Sequence, residues 1–182
     1  AVVALFLAIL MGTTYVQFIG AEKLNNNALN TRPLMANYDR PRGAILVGGK
    51  PIAQSIKTEN GPYKYKRTYT DSKLYSGLTG FYSLANGATQ LEATQETVLS
   101  GTSDDQFFDR LTNLFTGKED RGADIELTID PAIQKAAFDA IPDGKKGSVV
   151  VTDPRDGRIL AMASKPTYDA NDLSVQNSDQ VS

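Results

Sequence analysis

Two apolar runs joined by a turn, near the C-terminal end of the chain, constrain its fold more than any other feature. In the segment Gly147–Ser164, Pro154 fixes the φ that starts a turn, and Gly157 can adopt the positive φ that closes it. Asp153, just before Pro154, can hydrogen bond to the turn backbone. Both runs are apolar almost throughout, which is typical of strands buried on both faces. We therefore expect Gly147–Ser164 to be a core hairpin of a larger domain that continues beyond residue 182.

The chain contains no histidine and no cysteine among its 182 residues. Disulfide bonds, zinc sites of the usual kind and Ser/His or Cys/His catalytic pairs are therefore excluded, which leaves Ser/Lys, carboxylate or backbone-only chemistry. Positive and negative charges are interspersed and the net charge is −2, so the composition indicates no nucleic-acid partner. We predict neither a metal nor a cofactor.

The first 21 residues carry no charged side chain. An apolar helix of about 20 residues spans about 30 Å, the thickness of a bilayer core. We predict a transmembrane signal-anchor helix over residues 1–21, with Tyr15 and Phe18 at the membrane interface. This places the protein in the cell membrane, single-pass, with its C-terminal part extracytoplasmic. A cleaved secretory segment and a buried core helix are the alternatives.

The next segments predict strands. The run Ala44–Ser55 predicts a hairpin in which Gly48-Gly49 forms a two-residue turn, and Pro51 indicates an edge strand. The run Tyr63–Tyr69 alternates aromatic and polar residues, which favours a half-buried strand with a solvated basic face. Arg40 and Arg42 flank a proline just before the hairpin. They could bind a phosphate or carboxylate ligand, but we favour a structural clamp on neighbouring carbonyls or acids.

Helices are predicted after these strands. The segment from Gly87 to about Leu99 predicts a helix that Gly101 ends. A second helix begins near Asp104, and its apolar face carries Phe107, Phe108, Leu111, Leu114 and Phe115. The charged loop Gly117–Gly122 then indicates a boundary between two folding units.

A strand, a capped helix and the C-terminal hairpin follow this loop. Asp124–Ile129 alternates as a strand, and Asp130-Pro131 supplies an N-cap acid and a proline at the first helical position. Pro142–Gly144 ends that helix. The buried face is predicted to carry Ile133, Ala136, Ala137, Ala140 and Ile141. This order of elements is typical of an α+β domain.

At these residues the chain resembles the class B penicillin-binding proteins, and most closely the actinobacterial PbpA type. The resemblance covers nearly the whole chain. Its blocks are Arg42-Gly43-Ala44-Ile45, Gly87–Gly101 around Leu91-Glu92, Leu127–Asp130 with Gln134, and Gly147–Asp169. Family members often have a glycine just before Leu-Glu, where this chain has Gln90.

The resemblance implies an α+β fold class in three parts. These are the transmembrane helix, residues 1–21; an elongated noncatalytic pedestal of the dimerisation type, residues 22–120; and the first strand, helix and hairpin of a transpeptidase domain, residues 121–182. The intact protein would be a serine-type peptidoglycan D,D-transpeptidase with Ser-x-x-Lys, Ser-x-Asn and Lys-Thr-Gly motifs. None of these motifs occurs in the chain, so we expect it to be catalytically inert alone and truncated before Ser-x-x-Lys.

The resemblance also implies a partner, a SEDS glycosyltransferase of the RodA/FtsW type, besides peptidoglycan or its lipid-linked precursor. We predict that the anchor helix and the segment 37–45 contact it. The predicted interface residues are Leu10, Thr14, Tyr15, Phe18, Asn37, Tyr38, Arg40, Arg42 and Ile45.

Two other functions remain open from the sequence. One is a stand-alone membrane-tethered extracytoplasmic scaffold or binding module with no enzymatic activity. The other is a secreted hydrolase that uses carboxylates such as Asp39, Glu92 or Asp153. The turn position of Asp153 already explains that residue without catalysis.

Overall fold

The computed structural model describes residues 2–15, 38–59, 63–83, 86–103 and 121–174. The chain divides into two compact units, residues 1–36 and residues 37–182. The predicted helix from Asp104, with its phenylalanine stripe, lies outside the described residues, as do Phe18 and Asn37 of the predicted interface. The second unit has the mixed helix and strand content that the sequence predicts.

The described part of the first unit is a single helix, α1, over Val2–Thr14. Its side chains include seven large apolar residues that are exposed: Val2, Val3, Leu5, Phe6, Ile9, Leu10 and Met11. The predicted span over residues 1–21 extends past α1 into residues outside the description. Within the described ranges, no helix is long and apolar enough to cross a membrane.

A four-stranded sheet forms the centre of the second unit, in the order β3-β2-β1-β6. Its strands are β1 (Ile45–Val47), β2 (Lys50–Lys57), β3 (Tyr65–Tyr69) and β6 (Ile125–Leu127). Strand β1 pairs antiparallel with β2 and parallel with β6, and β2 pairs antiparallel with β3. The remaining short strands β4 (Tyr82–Ser83) and β5 (Gly87–Ala88) pair with each other.

The Gly48-Gly49 turn is confirmed, because it joins β1 to β2 and both glycines have positive φ, 57° and 71°. The prediction that Pro51 marks an edge strand is wrong, because β2 lies between β1 and β3. Pro51 lies opposite Leu46, where the register with β1 shifts. An irregularity of this kind accommodates a proline that cannot donate a ladder hydrogen bond.

Three helices pack near the sheet: α2 (Ser72–Thr79), α3 (Gln90–Thr94) and α4 (Glu96–Leu99). The sequence predicts one continuous helix from Gly87 to about Leu99. That start is wrong, because Gly87–Ala88 form β5 and the helix begins at Gln90. The structure also divides the helix at Gln95, whose φ of −108° and ψ of 25° are not helical. The main core lies between these helices and the sheet. Its buried members are Ile45, Val47, Ile52, Ala53, Tyr69, Tyr75, Leu99, Ile129 and Ala170.

A second layer comprises helix α5 (Pro131–Asp139), the hairpin strands β7 (Gly147–Thr152) and β8 (Ile159–Lys165), and helix α6 (Ala170–Leu173). The predicted N-cap is confirmed: the Asp130 carboxylate accepts hydrogen bonds from the amides of Ala132 and Ile133, at 2.8 and 3.0 Å. The predicted hairpin turn is also confirmed, since the Gly157 amide donates to the Asp153 carbonyl at 2.8 Å.

The buried face of α5 differs from the prediction. Ala136 and Ala140 are exposed, whereas Gln134, Ala137 and Ile141 are buried. The face is rotated toward Gln134, because this polar side chain finds hydrogen-bond partners in the interior.

Only one face of the hairpin is covered within the described residues. Ala161 and Ala163 are buried against Ala137 and Ile141 of α5. Val150, on the other face of β7, is 54% exposed. The prediction that both faces of the hairpin are buried is therefore wrong at this residue.

Polar side chains join the second layer to the central sheet and α2. The buried Gln134 donates to the carbonyls of Leu74 and Met162, at 3.1 and 3.0 Å, and accepts from the Met162 amide at 2.8 Å. Asn171 accepts from the Tyr69 amide and donates to its carbonyl, at 2.9 and 3.0 Å. These bonds cross the predicted boundary near residue 120. The division into 22–120 and 121–182 therefore stays a prediction within one compact unit.

Two glycines allow three backbone segments to cross at the start of β1. The Gly43 amide donates to the Leu99 carbonyl at 2.8 Å, and the Gly122 amide donates to the Pro41 carbonyl at 3.0 Å. A Cβ at Gly43 would overlap the carbonyl of Ala123, and a Cβ at Gly122 would overlap that of Leu99. The close approach therefore requires residues without a side chain.

We expect Gly43→Ala to lower the free energy of unfolding by about 3 kcal/mol, because the backbone must move apart to admit the methyl group. Gly147→Ala is the control, since its Cβ would lie 3.7 Å from Ile141 Cγ2, an ordinary contact. The control should change stability by about 0.5 kcal/mol or less. Chemical unfolding of the purified chain in mild detergent, followed by circular dichroism, measures both. Equal stability of the two variants would contradict the crossing.

Candidate functional site

The segment 38–45, where the sequence predicts an extracellular contact, leads directly into β1. Its arginine Arg42 is 6% exposed and extends to helix α3. Arg42 Nε donates to Glu92 Oε2 at 2.7 Å, and Arg42 Nη2 donates to the Glu92 carbonyl at 2.6 Å. The guanidinium thus holds both the carboxylate and the backbone of one residue. This confirms the structural clamp that we favoured for Arg42.

A second arginine binds the other oxygen of the same carboxylate. Arg67 Nε donates to Glu92 Oε1 at 2.7 Å, and Arg67 Nη1 donates to the Gly43 carbonyl at 2.7 Å. Both side chains are almost completely buried, with Glu92 at 0% and Arg67 at 2% exposed. We call Arg42, Arg67 and Glu92 the arginine–glutamate cluster. It joins segment 38–45, strand β3 and helix α3.

Tyr69, on the same face of β3, also faces the cluster. Its hydroxyl donates to Glu92 Oε1 at 3.2 Å. Burial raises the pKa of Tyr69, and the nearby Glu92 charge raises it further. The phenol therefore stays protonated and serves as a third donor to the carboxylate.

A tyrosine stack covers the outer side of Arg42. The Arg42 guanidinium lies 4.1 Å from the Tyr82 ring centroid, and Tyr38 stacks on Tyr82 with centroids 5.1 Å apart. Arg42 Nη2 also pairs with Glu96 Oε2 at 2.7 Å. Burial acts to lower the pKa of Arg42, but Glu92 and Glu96 more than offset it and raise the pKa. Arg42 is therefore charged at every physiological pH.

Helix α3 places Glu92 through an unusual backbone conformation. Its first residue, Gln90, has a φ of 50°, in the left-handed region that favours glycine. The conformation turns the chain into α3, so that Glu92 faces inward while Gln90 stays exposed.

The cluster cannot act as a hydrolytic site, because the Glu92 carboxylate has no exposed surface and both of its oxygens are occupied. Asp153 accepts from the Arg155 amide and guanidinium, both at 3.0 Å, which confirms its role in the turn. The Arg155 hydrogen bond also lowers the pKa of Asp153. In the described part of the chain, no group of His, Cys, Asp and Glu residues could hold a metal ion.

The structure separates the predicted interface residues into exposed and buried sets. Leu10, Thr14, Tyr15 and Arg40 are exposed. Tyr38, Arg42 and Ile45 are buried and hold segment 38–45 in place. Leu10 and Thr14 lie one helical turn apart on α1, so they share a face. Contact of any of these residues with a partner stays a prediction.

Sequence reasoning missed Arg67, which it placed on a solvated basic face of β3. Strand β3 buries Tyr65, Arg67 and Tyr69, and exposes Lys66. The alternation of the strand already indicates that Arg67 is buried, because Arg67 is two residues from both Tyr65 and Tyr69 and shares their face. The partner that makes its burial favourable, Glu92, is distant in sequence and leaves no local signal.

We expect Glu92→Gln to lower the free energy of unfolding by about 3–5 kcal/mol, because two buried guanidinium groups lose their counterion. Glu96→Gln is the matched control: the Glu96 side chain is 38% exposed and pairs with Arg42 alone, so its loss should cost about 1 kcal/mol or less. Chemical unfolding of both variants measures the difference. A Glu92→Gln cost no greater than that of Glu96→Gln would show that the cluster does not carry stability.

Comparison with known proteins agrees with this architecture. Residues 42–125, which contain the arginine–glutamate cluster, match the family "Penicillin binding protein A dimerisation domain". The chain is 39% identical to peptidoglycan D,D-transpeptidase PbpA of Mycolicibacterium smegmatis over 97% of its own length and 37% of that protein. It is 38% identical to PbpA of Mycobacterium tuberculosis strain H37Rv, over 97% of this chain and 36% of that protein.

Solved structures give the same result. The imipenem acyl-enzyme complex of penicillin-binding protein A from M. tuberculosis superposes with a TM-score of 0.76 and 39% identity, over 80% of this chain and 34% of that chain. The chain thus spans just over a third of the length of the curated relatives that it matches. The chain is thus similar over nearly its whole length to the penicillin-binding proteins of the PbpA type, and residues 42–125 match their dimerisation domain.

Proposed function

We propose that this chain is the anchor and pedestal part of a membrane-anchored peptidoglycan D,D-transpeptidase that acts in cell-wall synthesis. The observation that carries the proposal is the 39% identity to a PbpA transpeptidase along 97% of the chain. In this proposal, residues 22–120 form the noncatalytic pedestal and residues 121–182 begin the transpeptidase domain.

The proposal includes a membrane anchor over residues 1–21, with the rest of the chain extracytoplasmic. Two observations support it. The segment carries no charge, and seven large apolar side chains between Val2 and Met11 are exposed on α1. A helix that is apolar on every side is favourable in lipid and unfavourable in water.

The catalytic serine of the intact enzyme lies outside this chain in our proposal. Ser-x-x-Lys, Ser-x-Asn and Lys-Thr-Gly are all absent from the 182 residues. The nearest approach, Ser55-Ile56-Lys57, has one residue too few between serine and lysine and lies on β2. Two residues on a strand lie about 6.6 Å apart along its axis. Ser-x-x-Lys needs three-residue spacing on a helix to bring the base next to the nucleophile.

We therefore expect a fluorescent penicillin to leave the 182-residue chain unlabelled after denaturing electrophoresis, because no serine is activated to open the β-lactam ring. The control is an intact PbpA transpeptidase in the same reaction, which should give a covalent band that excess unlabelled penicillin removes. A band of this kind from the chain alone would contradict the proposal.

The partner in our proposal is a RodA/FtsW-type glycosyltransferase, which the chain binds and activates. The exposed Leu10 and Thr14 offer one face of α1 for the contact in the membrane. Arg40 is exposed at the start of the segment that the arginine–glutamate cluster holds. The buried Tyr38, Arg42 and Ile45 act indirectly, since they fix that segment.

We expect the double variant Leu10→Ala, Thr14→Leu to reduce co-purification with the glycosyltransferase by about tenfold, the loss that corresponds to 1.4 kcal/mol. Leu5→Ala is the control, because Leu5 and Leu10 are both 63% exposed but lie about 140° apart around the helix. Quantitative pull-down from detergent, with polymerase activity as a second reading, measures the effect. If the double variant recovers the same amount of glycosyltransferase with the same polymerase activity, the proposed contact through α1 is contradicted.

A further inference from the structure

Four lysines line one concave site in the unit 37–182. Lys73 belongs to α2, Lys145 and Lys146 to the loop between α5 and β7, and Lys165 to the end of β8. We call this site the lysine pocket. Its cavity volume is ≈ 400 Å³, and its other lining residues are Phe138, Asp143, Gly144, Pro166 and Thr167.

Lys165 is the fixed member of the lysine pocket. Its ammonium donates to the Ile141 carbonyl at 2.6 Å and to Asp143 Oδ1 at 2.8 Å, and its side chain is only 11% exposed. The same ammonium lies 4.7 Å from the Phe138 ring centroid. Asp143 is the one acid that lines the pocket, and this ion pair neutralises it.

The other three lysines are not held by the acid that lines the pocket, although Lys73 also lines a neighbouring cavity with Asp71, Asp139 and Asp169. Lys73, Lys145 and Lys146 are exposed, and within the described ranges no ion pair joins them to a carboxylate. Lys73 contributes only as the weakest of several influences that lower the pKa of Asp169. In a chain whose net charge is −2, this is a local concentration of positive charge.

The position of the lysines on separate elements is set by the fold. The Thr167 hydroxyl donates to the Lys73 carbonyl at 2.6 Å and is 2.7 Å from Ser76 Oγ, which joins α2 to the segment after β8. Lys145 follows a turn in which its own amide donates to the Pro142 carbonyl at 3.2 Å. Three parts of the chain therefore present ammonium groups to one cavity.

We propose that the lysine pocket binds a phosphate-bearing ligand. A phosphate ester can carry two negative charges and interacts with several ammonium groups at once, whereas a carboxylate carries one. The cavity has the size of a small-molecule site, and Phe138 and Pro166 give it an apolar wall for the group that carries the phosphate. This site takes no part in the transpeptidase or partner proposals, and its test is independent of them.

Titration of the full chain in maltoside detergent with pyrophosphate and with glycerol 3-phosphate tests the proposal. We expect saturable binding of both, weakened by rising salt, and much weaker binding of acetate. The double variant Lys145→Ala, Lys146→Ala should weaken pyrophosphate binding by about tenfold or more, since it removes two charges at the site. Both lysines are exposed and make no side-chain bonds in the described structure, so the variant should unfold like the wild type.

The double variant Lys64→Ala, Lys66→Ala is the matched control, because it removes two exposed lysines elsewhere and gives the same net charge. It should keep the wild-type affinity within about twofold. Absence of saturable binding, or an equal loss in both double variants, would overturn the proposal.

A competition experiment identifies the source of the phosphate. Phosphatidylglycerol added to the detergent micelles should displace bound pyrophosphate if the pocket binds a lipid headgroup, whereas phosphatidylcholine should not. Displacement by glycerol 3-phosphate but not by the lipid would assign the pocket to a soluble or glycan-linked phosphate. Failure of both competitors to displace pyrophosphate would show that the pocket does not recognise phosphate esters.

Discussion

The arginine–glutamate cluster is the interaction on which the arrangement of the pedestal depends. The Glu92 carboxylate receives one guanidinium on each oxygen, and the same guanidinium groups also bind the carbonyls of Glu92 and Gly43. Removal of these ions from water is costly, and only a well-aligned set of charge-assisted hydrogen bonds offsets that cost. These directional bonds to Glu92 and Gly43 fix one arrangement of segment 38–45, β3 and α3. Apolar contacts alone, in the core between the sheet and the helices, would tolerate more than one arrangement of these three segments.

Directional bonds also explain why the predicted domains form one compact unit. Asn171 satisfies a backbone donor and acceptor of Tyr69 on β3, and Gln134 joins the backbone of Met162 on β8 to the Leu74 carbonyl on α2. Apolar contacts can slide with little loss, whereas a buried amide that loses its partners pays the full desolvation cost.

Local rules predicted the features that depend on a few adjacent residues. The Gly48-Gly49 turn, the Asp130 cap and the Asp153 turn each follow from backbone conformation and short-range hydrogen bonds. Features that depend on distant partners were predicted less well. Pro51 lies in an interior strand, and the buried face of α5 centres on Gln134. A local sequence pattern predicts that glutamine lies on the surface and that proline lies in an edge strand. The groups that make the observed positions favourable are distant in sequence, so a short stretch of sequence does not reveal them.

The sequence alone excluded His- and Cys-based chemistry and predicted the turns and the Asp130 cap, since these follow from composition and from adjacent residues. The class of the protein was predicted from its resemblance to a known family, and helix α2 was not predicted. The sequence also indicated that Arg42 clamps an acid or a carbonyl. The tertiary structure decided which acid, because Glu92 lies 50 residues away and Arg67 comes from a third segment. It likewise brought four lysines from three segments to one cavity. Charge pairing and charge accumulation both depend on distances through space, and sequence separation does not fix them.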